Sequence, residues 1–272
     1  MPDDSLLLTN RPLHAPLRRG HRIAILSALA QEQHGLIDRL GDAACEQHAG
    51  REFWLGNLHG QPVVLALSRI GKVAAATTAT ALIERFAVAQ MIFTGVAGSL
   101  NDEVNIGDVL VADQFIQHDL DASPIFPRFE VPLYGRARFA TDAALTAALF
   151  AAVSETLARR QAFLPDPGAY PEARAHRGLV ATGDAFISGA AEAAALRQDL
   201  LAAGHTVLAV EMEGAAVAQV CHDYGVPFAA MRTISDRAND SAHVDFPAFV
   251  EQVASRYAQA ILETFLMSLS KP

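Results

Sequence analysis

The chain has 272 residues, 51% of them hydrophobic, and a net charge of −9 from 21 basic and 30 acidic residues. That length suits one large α/β domain or two small ones, and without a basic block beyond Arg18-Arg19 and Arg159-Arg160 it lacks the clustered cations that nucleic acid requires. Two cysteines, Cys45 and Cys221, are too few for a disulfide framework; no apolar run nears the ~18 residues of a membrane span, and residues 6–8 are too short for a signal-peptide core, which together point to a cytoplasmic protein with no membrane partner.

Residues 1–20 hold three prolines and scattered charge and read as an N-terminal extension, with the folded unit from 21 to 272. A first strand is expected at 22–26, and Ser27 can cap a helix running to about Leu40. Residues 52–58 and 63–68 flank HGQP as a hairpin. Gly71 leads into an alanine-rich helix at 73–86. A strand at 90–93 is followed by the glycine-rich stretch TGVAGSL, residues 94–100, which reads as a loop. After a strand at 108–114, residues 118–138 are irregular, with three prolines and the aromatics Phe126, Phe129 and Tyr134. A helix at 142–160 and a proline-bearing insertion at 163–176 precede a strand at 178–182, the loop GDAFISG at 183–189 and a helix at 190–202. The stretch HTVLAV, residues 205–210, is a short buried strand; Val217, Val220, Cys221 and Tyr224 then recur at helical spacing up to Gly225. A strand at 228–234 ends in Ser235-Asp236, and a helix at about 246–269 closes the pattern. The alternation of strands and helices predicts a single α/β domain with a mixed central sheet flanked by helices.

Three acids fall just past predicted strands: Glu32, Glu213 and Asp236. A βαβ unit over 205–234 would bring Glu213 and Asp236 to one rim, and Glu32 joins them if the first strand is parallel. Carboxylates crowded on one rim repel, a cost accepted mostly where chemistry needs differing proton affinities; from spacing alone each reads more readily as a solvated loop or helix-start residue. The glycine-rich stretch is neither a Walker loop nor GxGxxG. His118-Asp119-Leu120-Asp121 superficially suggests metal ligands, but no second cluster lies nearby, so neither a metal nor another cofactor is expected. Cys221 reads as core and His222 as surface.

The stretch VEMEGAAVAQVCHDYGVPFAAMRTISDRAND closely resembles the signature of the nucleoside phosphorylase/nucleosidase superfamily, and within it the nucleosidases of 5′-methylthioadenosine and S-adenosylhomocysteine. Further anchors are IAILSALAQE, SRIGKVAAATTAT, FTGVAGSL and ATGDAFISG, so the resemblance spans roughly residues 22–268. It implies the fold above and hydrolysis of an N-glycosidic bond with release of adenine. It implies Glu32 as the residue that positions and deprotonates water, and Asp236 as the acid at adenine N7. Met212 and Glu213 would bind the ribose. Phe186, Ile187 and Ser235 would bind the base, supported by Arg232, Val96 and Gly98. Leu29, with Phe126 and Phe129 from the irregular stretch, would form the pocket for the 5′ substituent, and a homodimer is expected. Phosphorylase relatives usually carry arginine just before the glycine stretch and serine within it, where this chain has Phe93 and Val96. Glycine and arginine are expected after the first strand, where it reads Ser27-Ala28-Leu29-Ala30. The resemblance therefore favours water over phosphate as nucleophile. The alternatives are a phosphorylase, a futalosine-type nucleosidase and, less readily because all three acids are retained, a non-catalytic nucleoside-binding protein.

Overall fold

The computed structural model describes residues 21–33, 35–164, 166, 170–238 and 246–270; the expected extension at 1–20 lies outside them. Among the described residues ten strands form one mixed sheet. Its first strand, β1 (Ile23–Ser27), is buried along its whole length, as expected of a strand covered on both faces. It lies parallel to β4 (Gln61–Leu67) on one side and to β5 (Gln90–Ser99) on the other. Beyond β4 come β3 (Arg51–Leu58) and the edge strand β2 (Gly41–His48), both antiparallel. The hairpin between β3 and β4 matches expectation. β2 carries no apolar alternation and is exposed throughout, so nothing in its residues signalled a strand.

Beyond β5 the sheet closes on itself. β5 pairs in parallel with β10 (Phe228–Asp236) and, through Gly98 and Ser99 alone, antiparallel with β9 (Val207–Glu211). β9 continues parallel to β8 (Ala175–Thr182), β8 parallel to β6 (Val109–Gln117), and β6 returns antiparallel to β10. The short β7 (Arg138–Ala140) hangs on β6. One apolar cluster fills the side covered by α1 (Lys72–Glu84) and α4 (Gly214–Tyr224). Another lies under α2 (Ala143–Ala158) and the C-terminal helices α5 (Phe246–Phe249) and α6 (Ser255–Leu269), which are joined by a π-helical turn at Val250–Ala254. α3 (Ala190–Ala202) packs outside β9. Local signals act where predicted: Asp142 caps α2 by accepting from Leu145 N at 2.8 Å, and Gly225 ends α4 with φ 62°.

Three expectations are corrected. Residues 27–40 are not a helix but two 3₁₀ turns, Ala30–Gln33 and Ile37–Arg39. The Glu32 carboxylate turns back to take the N–H groups of Ala28 and Leu29, Gln33 donates inward to Ile25 O and Ala66 O, and Gly35 has φ +77°; side chains that seize local backbone groups compete with a helix. The glycine-rich stretch is not a loop but the second half of β5, paired with β10 as far as Gly98. Lastly, β9 and β10 are not the parallel ends of a βαβ unit, since they run antiparallel and parallel to β5 respectively. Their carboxyl ends still converge, because β9 overlaps only the last residues of β5.

Candidate active site

At that convergence lies a cleft of about 840 Å³, its open mouth included. It is lined by the turn after β1 (Ala28, Leu29, Glu32), by residues 93 and 95–98 of β5, by Ala185–Ile187 after β8, by Val210–Glu213, and by Arg232, Ser235 and Asp236 of β10. β1 is parallel to β5, which meets the condition for Glu32 to join the other acids. Glu32, Met212, Glu213, Phe186, Ile187, Ser235, Asp236, Arg232, Val96, Gly98 and Leu29 thus face one space.

Phe126 and Phe129 do not line this chain's cleft. Phe129 is 1% exposed and lies in a separate apolar cluster with Ile116, Leu179 and Ile187, its ring edge-on to His205 at 6.0 Å. Its N–H donates to Leu120 O at 3.1 Å, which folds the proline-rich segment back onto the protomer's own core. Phe126 is half-buried on that segment. His118 is buried beneath Gly183 and Asp119 is engaged with Lys72; no group of three or more His, Cys, Asp or Glu side chains suited to a metal occurs among the described residues.

Glycines of β5 make room for the acids. A methyl on Gly95 would lie 3.3 Å from Glu32 Oε1 and 3.6 Å from the Arg232 guanidinium, and one on Gly98 would lie 2.8 Å from Asp236 Oδ1. Close approach, not a turn, is what these glycines provide. Glu32 and Asp236 thus approach the same strand at two separate places, Gly95 and Gly98. A register shift in β10 between Ile234 and Asp236 brings both Ser235 and Asp236 to the cleft, although consecutive residues of a regular strand face opposite ways.

Each acid is buried, at 2%, 6% and 7% exposure for Glu32, Glu213 and Asp236. Glu32 Oε2 accepts from Ala28 N at 2.8 Å and Leu29 N at 2.9 Å; burial nevertheless raises its pKa to about 7, against those bonds and the Arg232 charge. Glu213 Oε1 accepts from Gly71 N at 2.9 Å, and burial followed by repulsion from Glu211 pushes its pKa up. Asp236 Oδ2 accepts from Ser235 Oγ and Oδ1 from Ala238 N, each at 2.7 Å; burial raises its pKa, partly offset by those bonds. Burial disfavours the charged form of each, which suits carboxyls that must trade protons near neutrality.

Glu211 is the counter-ion of Arg232. Its Oε2 lies 2.7 Å from Arg232 Nη2, and it accepts from Thr182 Oγ1 and from Gly214 N at the start of α4. Arg232 Nη1 also donates to Phe93 O at 3.2 Å and Met231 O at 2.9 Å, and its guanidinium lies 4.2 Å from the centre of the Phe93 ring. Arg232 is the one basic residue among the described residues lining the cleft. Arg69 donates instead to Gly50 O, outside it. Sequence reasoning missed Ile70 in the lining and Gly71 as the donor to Glu213. Both lie in the SRIGKVAAATTAT anchor, where nothing but that anchor marked them.

The chain matches the model of the Phosphorylase superfamily over residues 22–267 and belongs to that superfamily. Within it the chain is similar to the 5′-methylthioadenosine/S-adenosylhomocysteine nucleosidases of Shewanella denitrificans (36% identity over 241 residues, covering 89% of this chain and 97% of that one) and Shewanella baltica strain OS155 (35% over 251 residues, covering 92% and 98%). It superimposes on the Streptococcus pneumoniae nucleosidase of that name bound to the transition-state inhibitor MT-ImmA, with TM-score 0.78 and 30% identity, covering 92% of this chain and 100% of that one. The Colwellia psychrerythraea nucleosidase in complex with adenine gives TM-score 0.79 at 32% identity, covering 91% and 95%.

Proposed function

We propose that the protein hydrolyses the N-glycosidic bond of 5′-substituted adenine nucleosides, 5′-methylthioadenosine and S-adenosylhomocysteine, and releases adenine. The observation that carries this reading is the pair of buried carboxyls, Glu32 and Asp236, which line one cleft and approach β5 at separate places, Gly95 and Gly98. That leaves room for a nucleoside with an acid at the base and a nucleophilic water at the sugar, the division of labour of an inverting glycosidase. Asp236, with its proton affinity raised, donates to adenine N7 and turns the base into a leaving group. Glu32 takes the proton of water as it attacks the anomeric carbon. Glu213 holds the ribose hydroxyls and stabilises the oxocarbenium-like charge, with Met212 beneath the sugar. Phe186 and Ile187 hold the base, Ser235 keeps Asp236 in place, Arg232 and Gly98 support the acids, Val96 lines the sugar side and Leu29 faces the 5′ substituent.

Water is the nucleophile in this reading because Phe93 and Val96 stand where arginine and serine would serve a phosphorylase, and Arg232, the one cation among the described residues lining the cleft, is already committed to Glu211. The test is adenine release in phosphate-free buffer. The rate should match that in phosphate, with free ribose product; dependence on phosphate, with ribose 1-phosphate formed, overturns the hydrolase in favour of a phosphorylase.

The protein is further proposed to act as a cytoplasmic homodimer. Ile70, Val73, Ile125 and Leu133 are each more than half exposed, apolar side chains that contact with a second copy would cover. Among the described residues no helix is long and apolar enough to cross a membrane. Light scattering at micromolar concentration should give twice the monomer mass.

A further inference from the structure

A ring of polar contacts outside the cleft ties together three segments. Asp119, two residues past β6, receives Lys72 Nζ on Oδ1 at 2.6 Å and Asp184 N on Oδ2 at 2.9 Å. Asp184 Oδ1 in turn receives Lys72 N at 2.8 Å, closing the ring. Lys72 Nζ has a further acceptor in Gln117 Oε1 at 3.2 Å. None of Lys72, Asp119 and Asp184 lines the cleft, yet Asp184 adjoins a residue that does and Lys72 adjoins one that holds a lining residue. Asp184 opens the Ala185–Ile187 segment that carries Phe186. Lys72 follows Gly71, whose N–H holds Glu213.

The start of α1 explains the coupling. Gly71, its N-cap, has no side chain with which to satisfy the first amides of the helix, and with φ +94° and a methyl position only 3.1 Å from Asp184 Oδ1 it admits none. The amides are capped from outside: Glu213 takes that of Gly71 and Asp184 that of Lys72. A helix N-terminus left without such acceptors loses stability. The same two amides therefore fix the proposed ribose carboxylate and the loop over the proposed base, and Asp119 fixes both by holding Lys72 and Asp184 together.

We propose that Asp119, through Lys72 and Asp184, is a positioning residue that sets the orientation of Glu213 toward the sugar hydroxyls. This rests on the proposed function, because the role of Glu213 does. In Asp119→Asn an NH2 donor replaces one of the two acceptor oxygens that take Lys72 Nζ and Asp184 N, so one side of the ring opens. The effect should fall on the sugar contact. Relative to wild type, kcat/KM for 5′-methylthioadenosine should drop about tenfold, but only about threefold or less for its 2′-deoxy analogue, which offers Glu213 one hydroxyl fewer. Lys72→Met should reproduce this narrowing, and the double variant should lose no more than either single one, as coupled residues do.

Equal losses on both nucleosides, multiplying losses in the double variant, or unchanged kcat/KM for Asp119→Asn would each overturn the proposal. If Asp119→Asn does not fold, the nucleoside ratio for Lys72→Met decides. Wild-type turnover checks the proposed function separately: a wild type inactive on the ribonucleoside refutes that function, whereas an active one with the wrong variant ratios refutes only the ring.

Discussion

Gly98→Ala is the most direct perturbation of the proposed acid, because it leaves Asp236 in the sequence and moves it in space. The new methyl would sit 2.8 Å from Asp236 Oδ1 and 3.1 Å from Ala238 Cβ. An ordinary contact of about 3.5 Å requires a retreat of about 0.7 Å. The carboxyl has no slack, since Oδ1 is held by Ala238 N and Oδ2 by Ser235 Oγ, both at 2.7 Å. A retreat of that size stretches at least one bond to about 3.4 Å, beyond an effective hydrogen bond. Misplacing a catalytic group by about 1 Å costs about a hundredfold, so a loss of about thirtyfold in kcat is expected, or about 2 kcal/mol of barrier. Initial rates of adenine release from 5′-methylthioadenosine measure it, with a melting curve to separate displacement from unfolding. Asp236→Asn, which cannot donate the proton, marks the larger loss of about a hundredfold or more. Turnover of Gly98→Ala within about twofold of wild type, with the fold intact, would refute the reasoning that this glycine makes room for the acid.

Glu32 has a folded pKa of about 7 against an ordinary 4.5; a carboxyl raised in this way favours the fold when protonated and opposes it as pH rises through that window. Glu32→Gln keeps the acceptor for Ala28 and Leu29 and removes the charge, so the variant should be inactive yet melt higher than wild type at about pH 8, with the difference vanishing near pH 4; a lower melting temperature at the higher pH contradicts the burial penalty. In wild type kcat/KM should fall below about pH 7 as the base is protonated, and a flat profile there excludes Glu32 from that role. Phe129→Ala empties a fully buried site and should cost about 3–5 kcal/mol in denaturant unfolding, with equal effect on the Michaelis constants for 5′-methylthioadenosine and adenosine; a selective rise for the methylthio compound would return Phe129 to the 5′ pocket.

Much of the arrangement was legible where local chemistry and tertiary demand agree. Helix 190–202 and the ends of α2 and α4 follow from alanine content, the Asp142 cap and Gly225. The acids of the cleft were legible through their place after apolar strands and through motif resemblance. What was not legible has a common cause: side chains acting on distant backbone. Glycine-rich residues 94–100 look like a loop until Glu32, Arg232 and Asp236 are seen to need their missing side chains. Residues 27–40 look like a helix until Glu32 and Gln33 turn inward. The relative direction of β9 and β10 depends on a two-residue pairing with β5 that no local pattern announces. Phe129, in a proline-rich stretch, could be assigned to core or pocket only by seeing which way that stretch folds back.

The distant partners gathered by β5 have a consequence for how the protein comes into being. Its residues 90–99 join β1, some seventy residues earlier in the chain by the pairing Ile23↔Gln90, and β9 and β10, more than a hundred residues later. Contacts so far apart in sequence close late and slowly. During synthesis the strand emerges long before β9 and β10 exist, with Arg232 beside Gly95 and Asp236 beside Gly98 not yet made. The cleft thus cannot be complete until β10, which brings Arg232, Ser235 and Asp236, has been made and has paired with β5 and β6.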